Sequence, residues 1–387
     1  MDGIAVAQGG AAGGRADESR ALTGLRGVGA FLVMLHHFHH YLALDLHVTM
    51  LSGLLRKGYL GVDLFFVLSG FLMAMVYGPW FATSFETPHR TSLGQHLRAT
   101  VVFLMRRVAR VWPLHAVIIG LLVAEWMIAG QPVSLRLVAA NLGMIQAWGI
   151  SAEINPPAWS ISTEIAAYLL FPLLAPVVLR WRWGVVLGVA AAVMAIALCM
   201  RFAPPVGPMR RGWMDIYFNY SALPLLRCLA GFVVGMVAWR LGHAGAVRRV
   251  VATLWTGPTA LLLMIVLMLG RVNDLLIYPL LPIIVLGFHF GRGRLWAAFT
   301  RGPIYRVGVL SYAIYLVHVV LLLHFPLNWA PLGVELIAYL ATVAVAAEAG
   351  HWLVEQPGRR LIRRWGEAIL ALAWPGALLQ RGPGYPI

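Results

Sequence analysis

Charge is scarce in this 387-residue chain: 12% of its residues are Asp, Glu, Lys or Arg, against 60% that are hydrophobic. A soluble globular domain carries about 25% charged residues, so this composition, with a mean hydropathy of +0.78, excludes an ordinary water-soluble fold. Acids are scarcer still, 15 against 30 basic residues. The resulting excess of +15 sits in short clusters between apolar segments, where it sets membrane orientation, and no groove-entering motif accompanies it, so nucleic acid is not an expected partner. Lysine is nearly absent: Lys57 is the one lysine in the chain. The two cysteines, Cys199 and Cys228, lie in separate apolar stretches with no His or Cys at metal spacing, which excludes a disulfide framework and a zinc site. The first twenty residues lack the basic start, apolar core and small-residue cleavage site of a signal peptide. The first hydrophobic helix is therefore expected to stay in the mature protein.

What is abundant is apolar sequence in runs of bilayer-spanning length. The expectation is an all-α polytopic membrane protein of about ten transmembrane helices, near 22–42, 59–78, 111–130, 159–180, 183–203, 220–240, 250–270, 274–290, 303–325 and 333–355. The stretch 134–149 is apolar but short and holds Arg136, Asn141 and Gln146, so it reads as a re-entrant or interfacial piece. Alternating the loops between two sides places most of the arginines, including Arg248 and Arg249, Arg292 and Arg294, and Arg359, Arg360, Arg363 and Arg364, on the side of the N-terminus. Short cytoplasmic loops carry such an excess, so both termini are expected in the cytoplasm. The expected division is a disordered cytoplasmic segment over 1–20, a membrane domain over 21–357 and a basic cytoplasmic tail over 358–387. The expected location is a bacterial inner (cell) membrane, with membrane lipid as surroundings.

Polar residues inside these spans mark candidate function, because ionisable groups in hydrocarbon are costly. The segment GYLGVDLFFVLSGFLM, Gly58 to Met73, places Asp63 and Ser69 in an apolar stretch. At 1.5 Å per residue, His37 lies roughly 16 Å above Arg26, and Asp63, Glu164 and His318 all reach the outer half of the bilayer. Arg26 and His37 are eleven residues apart, close to three turns, so one helix face presents a cation below and an imidazole above. His36 and His40 have the i,i+4 spacing of a metal-binding helix, but no carboxylate follows in that pattern, and no metal is expected. A histidine with a carboxylate in reach in a dry cavity is a candidate general base; the plainer reading is a hydrogen bond between helices.

Six elements together resemble the acyltransferase family 3 membrane proteins. LTGLRGVGAFLVMLHH carries Arg26 and His37, and GVDLFFVLSGF carries Asp63 and Ser69. MRRVARVWP carries Arg106, Arg107 and Arg110, and WSISTE runs from Trp159 to Glu164. SYAIYLVH ends on His318, and VEQP ends on Pro357. Two positions depart from the family pattern, Thr23 where it often has Asp and Ile165 where it often has a second acid; they bear on how substrate is held rather than on reaction type. The resemblance implies an O-acyltransferase that moves an acyl group, most often acetyl, from acyl-CoA as co-substrate to a hydroxyl of a carbohydrate or glycolipid acceptor, with no bound cofactor.

On that reading His37 is the base or a transient acyl carrier, and Asp63 or Glu164 orients its imidazole. Arg26, Arg106, Arg107 and Arg110 take donor charge, Ser69 packs helices or touches substrate, and Trp159 lies at the outer interface as a belt residue or a sugar platform. His318 is a further substrate-contact candidate, Glu348 a weaker one, and Glu355 is expected to pair with Arg359 and Arg360. A different class of function, passage of a lipid-linked sugar by a transporter or flippase, would use the same polar cavity. Transporters commonly show two similar halves, and the chain has no such internal repeat. The oligomeric state is not legible in the sequence.

Overall fold

The computed structural model describes residues 3–41, 51–82, 93–206, 211–217, 221–326 and 329–373, with side chains from Arg20 onward except those of Tyr41 and Ala373. Among them there is no strand; the order is α1 (Gly3–Tyr41), α2 (Leu51–Lys57), α3 (Leu60–Ala82), α4 (Leu93–Ile128), α5 (Leu135–Leu142), α6 (Trp159–Leu179), α7 (Gly184–Phe202) and α8 (Leu223–Gly242). There follow α9 (Gly245–Val251), α10 (Thr256–Leu269), α11 (Asp274–Ile277), α12 (Leu280–Phe290), α13 (Arg294–Ala297), α14 (Gly302–His324), α15 (Leu332–Ala349) and α16 (Gln356–Ala373). The protein is an all-α polytopic membrane protein. Its outer helices show why: α7 leaves Val186, Leu187, Val189, Val193 and Met194 exposed, an apolar face that only lipid or another apolar surface can cover.

Among the described residues eight helices are long and apolar enough to cross a bilayer, or nine if the bent pair α9 and α10 is one span. The expected span at 250–270 falls on the pair α9 and α10, bent by 67°, and that at 274–290 is a shorter apolar helix interrupted between α11 and α12. Asp274 begins this piece fully buried, its carboxylate taking Lys57, the Tyr59 hydroxyl at 2.5 Å and the Met214 N–H at 3.0 Å. The stretch after α4 holds no helix long enough to span. Helix α5 is eight residues long, and its return is held by Asn141, which donates to the Leu137 and Ala152 carbonyls and accepts from Ile154 N–H.

The chain does not end its helix at 355. A π-helical turn, Gly350–Glu355, joins α15 directly to α16; Pro357 lacks an N–H and its ring crowds the carbonyl four residues back, and the widened turn accommodates it. Helix α16 then folds beside α4, with Gly358 against Pro113 and Gly366 against Met105. At the other end, the backbone of α1 is helical from Gly3, through the segment expected to be disordered. Of the expected tail, residues 374–387 lie outside the described residues.

Two parallel crossings set the interior. Helices α1 and α14 meet where a Cβ on Gly27 would lie 2.7 Å from the Gly308 nitrogen, and one on Gly308 only 2.0 Å from the Thr23 carbonyl. Without apolar burial to drive helices together in lipid, such close backbone contact between small residues is the main source of association. Helices α3 and α8 cross likewise, a Cβ on Gly235 falling 2.1 Å from the Val67 carbonyl. Their crossing is pinned by Arg227, whose Nη2 and Nε donate to the two Asp63 carboxylate oxygens at 2.6 and 2.9 Å. Both residues are at most 1% exposed. Arg227 also donates to the Ile216 carbonyl at 3.0 Å.

Removing one member of such a pair leaves a buried charge and typically costs about 3–5 kcal/mol, whereas replacing both with apolar groups is often tolerated. Asp63→Ala is therefore expected to lower the thermal midpoint sharply and Asp63→Leu with Arg227→Met to recover much of it, read by reaction of the buried thiols of Cys199 and Cys228 with a fluorogenic reagent in detergent. Glu153, in the loop before α6, has its carboxyl pushed up to about 7 by burial from an ordinary 4.5. An acid raised on folding stabilises the fold in full below the lower value and loses that contribution as pH rises through the upper one. Glu153→Gln is thus expected to gain stability over wild type between about pH 5 and pH 8, checked by the same thiol assay.

Candidate active site

The parallel register of α1 and α14 puts His37 opposite His318, at the same sequence separation as Gly27 from Gly308. Their rings are 4.9 Å apart, edge to face. The hydrogen bonds assign the tautomers. A carbonyl only accepts, so the His37 Nδ1 at 2.9 Å from the Val33 carbonyl carries the proton. The His318 Nδ1, 2.7 Å from the Tyr315 carbonyl, carries its proton likewise. His318 Nε2 is then a lone pair 3.2 Å from His37 Nδ1 and shares that proton. Nε2 of His37 is left with its own lone pair, and no hydrogen bond occupies it among the described residues.

Below this pair, toward the Arg26 end of α1, lies a cavity of about 90 Å³. Arg26, Arg107 and Arg110 bring three guanidinium groups to its wall, and Glu164 brings one carboxylate. Glu164 Oε1 accepts from Ser69 Oγ and from the Tyr168 hydroxyl, both at 2.5 Å. Arg107 donates to the Tyr77 hydroxyl at 2.9 Å, and Arg110 is paired with Glu355. Arg26 makes no hydrogen bond or ion pair among the described residues. Ser311, 1% exposed, lines the same cavity with its hydroxyl unpartnered among them. Tyr315 closes the upper end: it lines the cavity, packs on Phe65 at 5.8 Å, and lies 5.8 Å from the His318 ring.

The structure brings Arg26, Ser69, Arg107, Arg110 and Glu164 to one cavity and His37 to His318 above it. It separates the others. Asp63 does not orient His37, because Arg227 takes both carboxylate oxygens, and Glu164 is likewise committed to Ser69 and Tyr168. Trp159 is buried, with the Arg227 guanidinium 5.4 Å from its ring. Arg106 lies over Trp80 at 5.3 Å, away from the cavity wall. Glu355 pairs with Arg110 and with His351 Nδ1 at 2.9 Å, not with Arg359 and Arg360, since the π-helical turn rotates it inward. Glu348 pairs with Arg306 and accepts from the Trp352 indole. His36 and His40 turn to Arg211. Sequence reasoning passed over Arg227, Tyr168, Ser311 and Tyr315; an arginine alone in an apolar span was the available signal for the first, since it demands a carboxylate partner.

The family model for an acyltransferase domain matches residues 19–348. The acyltransferase MdmB of Streptomyces mycarofaciens is 28% identical over 89% of this chain and 92% of its own. BcsY of Komagataeibacter xylinus, whose name describes a membrane-bound transacylase, is 24% identical over 88% of this chain and 82% of its own. Protein 2 in the picA locus of Rhizobium radiobacter is 26% identical over 46% of this chain and 92% of its own. No solved structure matches. The matched stretch takes in α14 with His318 as well as α1 with His37, and the chain belongs to acyltransferase family 3, as a membrane acyltransferase.

Proposed function

We propose that the protein transfers an acyl group, acetyl in the simplest case, from acyl-CoA to a hydroxyl of a carbohydrate or glycoconjugate, with His37 as general base, in the inner membrane of a bacterium. The observation that carries this is the fixed tautomer of His37: its Nδ1–H is shared by the Val33 carbonyl and His318 Nε2, and its Nε2 lone pair has no hydrogen bond among the described residues. A base needs that arrangement, because the atom opposite the reacting nitrogen must be held and the imidazolium stabilised once it forms.

In the proposed step, His37 Nε2 takes the proton of the acceptor hydroxyl as its oxygen bonds to the thioester carbonyl carbon. The C–S bond then breaks, and the imidazolium returns the proton to the departing thiolate, leaving ester and free thiol. The donor enters from the cytoplasmic side, the arginine-rich end. Arg26, Arg107 and Arg110 meet its phosphates or the thioester's polar arm as charge-assisted bonds, and the unpartnered Ser311 hydroxyl supplies a further contact. Phe65 and Tyr315 stand between this cavity and His37, so the acyl arm passes beside them. Asp63 acts through the fold, by fixing α3 against α8.

Thiol release from acetyl-CoA by the protein in nanodiscs, with a panel of sugar acceptors, tests the reading. His37→Gln is expected to cut turnover by about 10²–10⁴-fold while acetyl-CoA binding persists, and Arg26→Gln to weaken that binding. Donor binding with full turnover in His37→Gln would remove His37 from the chemistry. Failure of wild type to bind or cleave any acyl-CoA would remove the donor assignment.

A further inference from the structure

On the far side of His37 from the arginine cavity, a second cationic site is built around Arg211. The short segment 211–217 lies over the end of α1 and is held at three points. The Arg211 N–H donates to Asp215 Oδ2 at 2.9 Å, the Met214 N–H to Asp274 Oδ2 at 3.0 Å, and the Ile216 carbonyl accepts from Arg227 Nη1 at 3.0 Å. This fixes where the Arg211 side chain starts. Its guanidinium ends on two imidazoles, Nη1 lying 3.1 Å from His36 Nε2 and Nη2 against His40 Nδ1.

These are acceptor contacts without charge. His36 Nδ1 lies 2.8 Å from the Leu55 carbonyl and so carries the proton, which makes Nε2 the lone pair that receives Arg211 and leaves the ring neutral. The carboxylates on this side are committed elsewhere. Asp274 serves Lys57, Tyr59 and Met214, Asp63 serves Arg227, and Asp215, 3% exposed, takes the backbone N–H of Arg211 and not its guanidinium. Among the described residues no acid forms an ion pair with the Arg211 guanidinium. A guanidinium presents five donors in one plane, and the two imidazoles take two of them. His37 lies close by, its ring 5.3 Å from that of His36 and within electrostatic reach of Arg211.

A positive group held on neutral supports beside the reacting base is a receptor for negative charge. We infer that Arg211, positioned by His36 and His40, is an anion subsite on the acceptor side of His37, and that the acceptor carries a phosphate or carboxylate near the hydroxyl that is acylated. The inference rests on the proposed reading of His37 as the acyl-transfer centre. Arg211 lies outside the arginine elements through which the donor is read, and a planar fork suits both oxyanions bidentately.

The test uses the full chain in nanodiscs with acetyl-CoA and three acceptors: glucose, glucose 1-phosphate and glucuronate. Wild type is expected to favour one or both charged sugars over glucose by about tenfold or more in kcat/KM, through KM, and the sugar favoured tells phosphate from carboxylate. In Arg211→Gln the ratio is expected to fall toward one, and in Arg211→Lys to be partly kept, with protection of Cys199 and Cys228 from thiol reagent confirming that each variant is folded. An unchanged ratio in folded Arg211→Gln, or no preference in wild type, overturns the subsite. Direct binding of radiolabelled glucose 1-phosphate separates the two readings. If no acceptor supports thiol release, binding that is lost in Arg211→Gln keeps the anion site while the acyl-transfer reading falls, and equal binding in both proteins overturns the site itself.

Discussion

Helices α1 and α14 run parallel at a separation that only glycine permits, and the catalytic reading depends on that contact. Gly27 and Gly308 touch backbone to backbone, so the two helices share one register from there outward and His37 arrives level with His318. The same register turns Ser311, Tyr315 and His318, spaced i, i+4 and i+7, onto one face of α14. Ser311 and Tyr315 line the cavity beside Arg26, and His318 Nε2 accepts a hydrogen bond from His37 Nδ1. A side chain at either glycine would push the helices apart by ångströms and break a 3.2 Å contact between the imidazoles first.

In a medium without water, each buried charge has to be answered by the protein. Most here are: Asp63 by Arg227, Asp274 by Lys57, Glu355 by Arg110. The informative groups are those with no ion pair among the described residues, Arg26 having only the longer-range charge of Glu164. Arg26 and Ser311 lie at one end of the Arg26–His37 face, and the guanidinium of Arg211, supported on neutral rings, lies at the other. On the proposed reading, these groups at the two ends of the histidine axis would receive one charged partner from each side.

The helical architecture was legible because hydropathy reports it directly; the motifs named Arg26, Ser69, Arg107, Arg110 and Glu164 on separate helices, but not that they line one cavity. Pairing across helices was not. Asp63 and Glu164 share a depth with His37, and depth alone made them its partners; which face of a neighbouring helix meets them depends on crossing geometry that no local pattern records. Arg227 was visible as a charge in an apolar span, yet its partner lies 164 positions away. The helix ends misled for a related reason. VEQP reads as a stop, but a π-helical turn absorbs Pro357, carries the chain into α16 and rotates Glu355 toward Arg110.

Family membership settles acyl transfer over passage of a whole sugar, and the geometry offers a physical reason for the preference. A transporter must open one path wide enough for its cargo on alternate sides of a fixed site. Here Phe65 and Tyr315 pack together between the arginine cavity and the two histidines, and Tyr315 is anchored further by its hydroxyl on Ser160 at 2.7 Å. Moving a sugar past that pair would mean dismantling it. Transfer of an acyl group alone carries no whole sugar past that pair, so a barrier that opposes transport is compatible with acyl transfer.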